Sequence, residues 1–346
     1  MEIQLGLDTF GDVTAGPDGA LVQHAQVVRD VVEQGRLADA VGVDAFGVGE
    51  HHRDDYAVSA PDVVLAGLAT TTERILLGSA VTVLSSDDPV RVMERFATID
   101  ALSGGRAEVT LGRGSFTESF PLFGFDLADY DVLFSEKLDL FARLRLATAQ
   151  GEPLSWQGET RAPLVDARVW PAPEQPLRTW VAVGGSPESV VRSARYGLPL
   201  MLAIIGGEPA RFAPYVDLYH RALDELGQPR LPVGVHSPGF VARTDDEARE
   251  RLFPHFKANR DRIGRERGWP PATREQLDAE ADHGALFVGS PETVATKIAA
   301  TARALGLDRF DLKYSHGPLP HGHLMECIEL YGTEVAPRVR ELLADA

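Results

Sequence analysis

Residues 36–49 read RLADAVGVDAFGVG: a stretch with helix-like apolar spacing, a glycine, and then a short apolar run ending in glycine. Gly42 stands where a helix must end in a left-handed residue, a conformation that glycine adopts without steric cost. The run behind it reads as a strand. The same junction returns at 97–112 (ATIDALSGGRAEVTLG), 192–204 (RSARYGLPLMLAI) and 301–313 (TARALGLDRFDLK), with Gly104 or Gly105, Gly197 and Gly306 at the turn. Four helix-to-strand junctions imply a repeated βα unit. The apolar runs suit parallel strands with both faces covered.

Extending the pattern places strands near 3–9, 44–49, 75–83, 106–112, 179–184, 199–204, 232–242 and 309–313. Eight strands alternating with helical segments over 346 residues predict an α/β fold, a (β/α)8 TIM barrel forming a single domain over 1–346. An open Rossmann sheet ranks second, because no G-x-G-x-x-G follows the first strand. Residues 243–285 are charged, helical in character and broken at Pro270 and Pro271. They read as an insertion on the C-terminal face after strand 7, able to act as a lid, or else as an elongated outer helix with an exposed loop.

A net charge of −17 argues against a surface for nucleic acid, which needs a clustered positive field. Cys327 is the single cysteine, so no intrachain disulfide or cysteine metal site can form, as expected of a cytoplasmic protein. The first residues lack the basic and apolar segments of an export signal, and no apolar run reaches membrane-spanning length.

Chemistry in a parallel barrel gathers at the C-terminal strand ends. After strand 2 comes GEHHRDDYAVSAPD, 49–62, a density of ionisable groups that is costly behind a buried element unless something uses it. His51 and His52 are consecutive, so only one can face the barrel mouth. After strand 5, GGSPES (184–189) offers close backbone approach at Gly184 and Gly185 and hydroxyls at Ser186 and Ser189 to cap a helix whose N-terminus favours an anion. It reads as a phosphate cradle or as an ordinary capped helix. Arg113 in GRGSF (112–116) could complete an anion site or form a surface ion pair. In SSDDPVRV (85–92), Asp88 caps a helix with Pro89 in its first turn, and Ser85 and Ser86 are candidate cofactor neighbours. The alternating His321 and His323 of HGH are compatible with a metal site, which would suit a hydrolase also using His51 or His316.

In this order, GVGEHH (47–52), the long segment LGSAVTVLSSDDPVRV through GRGSFTESFPLFGF (77–125), YDVLFSEKLDLF (130–141), VGGSPESV (183–190), GLPLMLAIIGG (197–207) and IELYGTEVAP (328–337) resemble the bacterial luciferase-like flavin monooxygenases. The resemblance implies a TIM barrel that binds FMN, with phosphate near strands 4 and 5. It implies that His51 is the catalytic residue at the reactive flavin edge, with Glu50 orienting it or forming a salt bridge. It implies a cis peptide at Ala80–Val81 beside the ring, and phosphate contacts from Arg113, Ser186 and Ser189 supported by Gly184 and Gly185. It further implies a two-component monooxygenase acting through a C4a-peroxyflavin, a separate NAD(P)H-dependent flavin reductase supplying reduced FMN, and, more simply than a heterodimer, a homodimer. Phe10, Phe116 and Trp180 are candidate aromatic walls or plain core. Gly112, Phe116 and Gly185 stand where luciferase itself has a cysteine, a tyrosine and an acid, which argues against light emission. An F420-dependent hydride-transfer enzyme and a non-catalytic flavin-binding protein are the alternatives on the same barrel.

Overall fold

The computed structural model describes residues 3–114 and 116–344, so Ser115 of the GRGSF stretch lies outside the described residues. Eight strands carry the fold: β1 (Gln4–Thr9), β2 (Ala45–Val48), β3 (Leu76–Ser79), β4 (Ala107–Gly112), β5 (Arg178–Val183), β6 (Leu200–Ala203), β7 (Val233–Val241) and β8 (Arg309–Lys313). Each pairs in parallel with the next, and β8 pairs with β1, which closes the barrel. All eight lie where the apolar runs placed them. The glycines at the helix ends, Gly42, Gly104, Gly197 and Gly306, have the positive φ that the junction pattern requires. The expected third strand is divided: after Ser79 the ladder stops and resumes at Thr82–Val83 against Leu111 and Gly112.

Outward-facing residues such as Leu5, Leu7, Phe46, Leu77, Val109, Leu111, Val181, Leu202, Val235, Phe310 and Leu312 pack under the helices in one continuous apolar core. Burial of each such side chain is worth roughly 1.5–3 kcal/mol, so this ring carries most of the stability. The inward face departs from the expected apolar runs. Asp8, Glu108, His236, Arg309, Asp311 and Lys313 alternate with the apolar residues and fill the barrel axis with charge. Arg309 Nη1 donates to Glu108 at 2.5 Å and its Nε to Asp311 at 2.8 Å. Glycines make the room: a Cβ on Gly6 would sit 2.0 Å from Asp311 Oδ1, and one on Gly78 2.8 Å from Glu108 Cγ. Two-residue alternation permits this pattern, because one strand face can be polar without disturbing the other.

Residues 245–267 form one long helix, capped by Thr244 and ended by Gly268; a second helix, Arg274–Asp282, starts with a capping box at Thr273 and Gln276. A short strand, Phe287–Gly289, then pairs in parallel with the last residues of β7, Gly239 to Val241, before the outer helix Pro291–Leu305. The long helix reaches the loops at the C-terminal end of the barrel. Arg262 pairs with Asp54 and, at 3.1 Å, with Asp55, both in the loop after β2, and Asn259 lies beside Gly317 in the loop after β8. Among the described residues, no helix is long and apolar enough to cross a membrane.

Candidate active site

The end of β2 sets His51. Gly49 N–H donates to Thr9 of β1 and His51 N–H to Val58, so the backbone turns while still tied to its neighbours. The His51 ring stacks on Tyr56 at 4.4 Å and meets the edges of Phe10 at 4.9 Å and Phe116 at 5.2 Å. Its Nδ1 lies 3.4 Å from Glu118 Oε1. His52 takes a different partner, its Nε2 lying 3.0 Å from Glu50. The other Glu50 oxygen accepts the Val83 N–H at 2.9 Å. Glu50 therefore anchors its own loop to the chain after β3 and does not orient His51. Glu118 takes that place, from a loop 67 residues away. It lies in the quoted strand 4 segment, but only barrel closure brings it to His51. Burial would raise the Glu118 carboxyl, yet the hydrogen bond and charge of His51 outweigh it and hold the carboxyl below its ordinary range.

The Ala80–Val81 peptide is cis and sits between the ends of β2 and β4. A Cβ on Gly49 would lie 2.9 Å from the Ala80 carbonyl oxygen, and one on Gly112 2.7 Å from Val81 Cγ2. The two glycines let the neighbouring strands close on this peptide. A side chain at position 112 has no space while Val81 stands there.

The anion side is built after β4 and β5. Arg113 donates from Nη1 to Asp131 at 2.9 Å and lies 5.2 Å over the Tyr130 ring, whose hydroxyl donates to Gly114. Ser186 caps the helix Pro187–Arg195, accepting the Ser189 N–H, while its hydroxyl donates to Glu188 at 2.8 Å. Gly185 has φ of 108°, and nothing lies within 4 Å of the space beside Gly184. Ser189 is buried, with its N–H tied back to the cap. The sequence reading missed Arg192. Helical side chains lean toward the helix N-terminus, so a residue three positions after Ser189 reaches back toward the cradle. Its Nη1 is buried with no partner, and its guanidinium lies 5.7 Å over Phe134. Burial, and then the nearby Arg113 charge, lower its proton affinity. Two neighbouring guanidinium groups, one with an unmet donor, beside a capped helix N-terminus and an open glycine fit a phosphate.

Ser85 and Ser86 are buried beside Val83 and Lys137, and Lys137 Nζ donates to the Ser85 carbonyl at 2.6 Å. Asp88 caps the helix Pro89–Ser103. Trp180 packs inside the barrel, 5.5 Å from the Arg309 guanidinium. The histidines late in the chain go to different places. His316 Nε2 is 3.1 Å from the Gly239 carbonyl, and burial pushes the imidazole down to about 3. His321 contacts Gln34 and Glu33, and the possible metal ligands that cluster among the described residues, Asp30, Glu33 and His321, lie on outer helices. His323 Nδ1 is buried without a partner. At the top of β8, Lys313 donates to Asp12 at 3.0 Å, and Ser315 and the Gly317 N–H also donate to that carboxylate. Burial opposes ionisation of Asp12, but these partners outweigh it and hold its carboxyl low.

One end of the closed barrel thus holds an imidazole–aromatic cluster and a candidate phosphate cradle. In solved structures the same fold recurs in the oxygenating component of 3,6-diketocamphane monooxygenase from Pseudomonas putida in complex with FMN, with TM-score 0.77, 18% identity and coverage of 97% of this chain and 98% of that one. It recurs also in an F420-dependent secondary alcohol dehydrogenase, with TM-score 0.74, 19% identity and coverage of 98% and 100%. Among curated proteins, 4-hydroxyprotoasukamycin monooxygenase of Streptomyces nodosus subsp. asukaensis is 27% identical over 300 residues, covering 80% of this chain and 77% of that protein. The pattern described as luciferase-like monooxygenase matches residues 9–309, from the last residue of β1 to the first of β8 and so across both sides of the mouth, and the chain therefore belongs to this family of oxidoreductases that incorporate oxygen.

Proposed function

We propose that the chain is an FMN-dependent monooxygenase of the two-component type, working in the cytoplasm as a homodimer. A separate NAD(P)H-dependent flavin reductase supplies reduced FMN, and O2 delivers one oxygen atom to a small organic substrate while the other leaves as water. The observation that carries this reading is the unmet Arg192 donor beside Arg113, at the same barrel end as His51. The phosphate of FMN would be held by Arg113, Arg192 and Ser186, with Gly184 and Gly185 leaving the backbone open and Ser189 supporting the turn. The ring would lie against Ala80–Val81, with His51 at its reactive edge. Reduced FMN supplies the two electrons that make O2 reactive.

The protein's own work is proton transfer and exclusion of water. His51, fixed by Glu118 and Tyr56, moves a proton at Nε2, the ring nitrogen left free once Nδ1 is turned to Glu118. Glu50 keeps the loop in place through His52 and Val83. The rings of Phe10, Tyr56 and Phe116 line one wall, and the helix 245–267, fastened by Arg262 to Asp54 and Asp55, serves as the lid.

The cradle would also accept the phosphate of a deazaflavin, so the test compares cofactors directly. Anaerobic titration with reduced FMN and with reduced F420, followed by mixing with oxygenated buffer, reads affinity and oxygen use together. Tight binding of reduced FMN with oxygen consumption coupled to substrate oxidation is expected. Selective binding of F420 would replace the proposal with hydride transfer, and flavin binding without any turnover would leave a flavin-binding protein.

A further inference from the structure

The barrel axis carries a second buried pair that the roles given to His51 and the cradle leave unused. His236 lies in the middle of β7 and Asp8 near the end of β1, and His236 Nδ1 is 2.7 Å from Asp8 Oδ2. Asp8 is 1% exposed and its Oδ1 has no partner, so among the described residues His236 is the side chain that answers this carboxylate. A buried carboxylate demands a donor, which puts a proton on Nδ1 and turns Nε2 away from Asp8.

What lies around the imidazole points upward into the mouth. Its ring stacks on Phe10 at 6.0 Å and 11°, and Phe10 in turn meets His51 at 4.9 Å, so one phenyl ring separates two imidazoles. The His236 side chain is 16% exposed, and no described group meets its Nε2. The charged groups facing it are Asp8 from β1 and Asp311 and Lys313 from β8, while on the β6 side its register partner is the small Ala203. Asp311 is already engaged by Arg309, and Lys313 by Asp12. Burial alone would push this imidazole down; the charge and hydrogen bond of Asp8, aided by Asp311, outweigh both burial and Lys313 and raise it.

We infer that His236, held by Asp8, is a second proton-bearing residue of the active site, whose Nε2–H donates a hydrogen bond to an electron-rich oxygen or nitrogen of the flavin ring. The inference rests on the flavin reading above. A cation in that position favours the reduced ring, which carries negative charge near neutral pH, over the neutral oxidised ring. His236 thereby strengthens retention of the reduced form and favours release of the oxidised form after turnover.

The test uses the full chain with 15N-labelled imidazoles, the His236 signals being identified by their loss in His236→Gln. The probes are oxidised FMN and FMN reduced anaerobically. His236 is expected to titrate above the ordinary imidazole range, and FMN to move its Nε2 signal while the Nδ1 signal bonded to Asp8 stays. The affinity ratio of reduced to oxidised FMN should fall about tenfold in His236→Gln, as loss of a charge-assisted hydrogen bond predicts. Asp8→Asn should lower the ratio in the same direction; should that variant not fold, His236→Gln decides alone. FMN binding with an unmoved Nε2 signal, or an unchanged ratio in His236→Gln, would overturn the inference and leave His236 a purely internal support. Absence of FMN binding would instead remove the cofactor reading, and this inference with it, an outcome distinguished because binding itself is then missing.

Discussion

Arg192→Met should separate ligand binding from folding. The guanidinium has a buried Nη1 without a partner, stands near the Arg113 charge, and rests over Phe134. A charge-assisted hydrogen bond to phosphate contributes about 1.5–3 kcal/mol. Its loss corresponds to a fall in affinity of roughly ten- to hundredfold. Folding responds differently. An unmet buried donor costs about 1–3 kcal/mol, with the lower end appropriate because Arg192 is only partly buried. Losing the contact with Phe134 offsets about 0.5–1 kcal/mol of that gain, and methionine keeps the apolar stem in place. Stability should therefore hold or rise slightly while affinity drops. Affinity for FMN and for riboflavin, measured side by side, isolates the phosphate contribution, and urea unfolding without ligand reports stability. The FMN-to-riboflavin preference should collapse in the variant, with riboflavin affinity within about threefold of the parent. A destabilised variant that keeps the full preference would show that Arg192 is structural and that the phosphate sits elsewhere.

His51→Ala should bind FMN nearly as well as the parent yet release hydrogen peroxide in place of oxygenated product; unchanged coupled turnover would remove His51 from the reaction. Glu118→Gln keeps the contact to His51 but not the charge, and coupled turnover should drop by about 10–100-fold, less than the roughly 10²–10⁴-fold of the proton transfer itself because Glu118 acts only through His51; parity with Glu50→Gln in a coupled assay would contradict the orienting role given to Glu118. Arg262→Ala should raise peroxide leakage at unchanged flavin affinity, and added salt should do the same to the parent, because this pairing is exposed. Arg262 holds the Asp54 carboxyl below its ordinary value, so the pairing is present above the unfolded carboxylate range near pH 4 and is lost as pH falls through the depressed folded value. Leakage should thus be flat from about pH 6 to 8; a rise across that window would point to another group. Gly6→Ala places a Cβ 2.0 Å from Asp311 Oδ1 and should cost about 3–5 kcal/mol in denaturant unfolding by breaking the buried pairing with Arg309; a loss under 1 kcal/mol would mean that the ion cluster can move aside.

The strand order, the closure into a barrel and the end at which chemistry gathers were legible because they are written locally. A glycine at Gly42, Gly104, Gly197 or Gly306 ends a helix through its own φ, and the apolar run that follows needs no distant partner to be recognised as a strand. His51, Ser186 and Arg113 were legible as candidates for the same reason, since each follows directly on a strand. The charged barrel interior was not. Within β1, Asp8 follows Leu5 and Leu7 with nothing nearby in the chain to show its partner, and in the barrel it faces His236, 228 residues away.

Pairings across the mouth were likewise decided only in three dimensions. Glu50 adjoins His51 in the chain, but past the end of β2 the loop gives Glu50 to His52 and Val83, and Glu118 reaches His51. Arg192 looked like any basic residue on a helix, and it matters because Arg113 arrives beside it from another strand end. The sequence by itself determined the βα repeat, the number of strands and the loops that carry function, because backbone conformation and apolar periodicity are local properties. Only the tertiary structure decided which acid serves which histidine, which arginine lacks a partner and which charges share the barrel axis, because such interactions depend on distances between strand ends that closure alone sets.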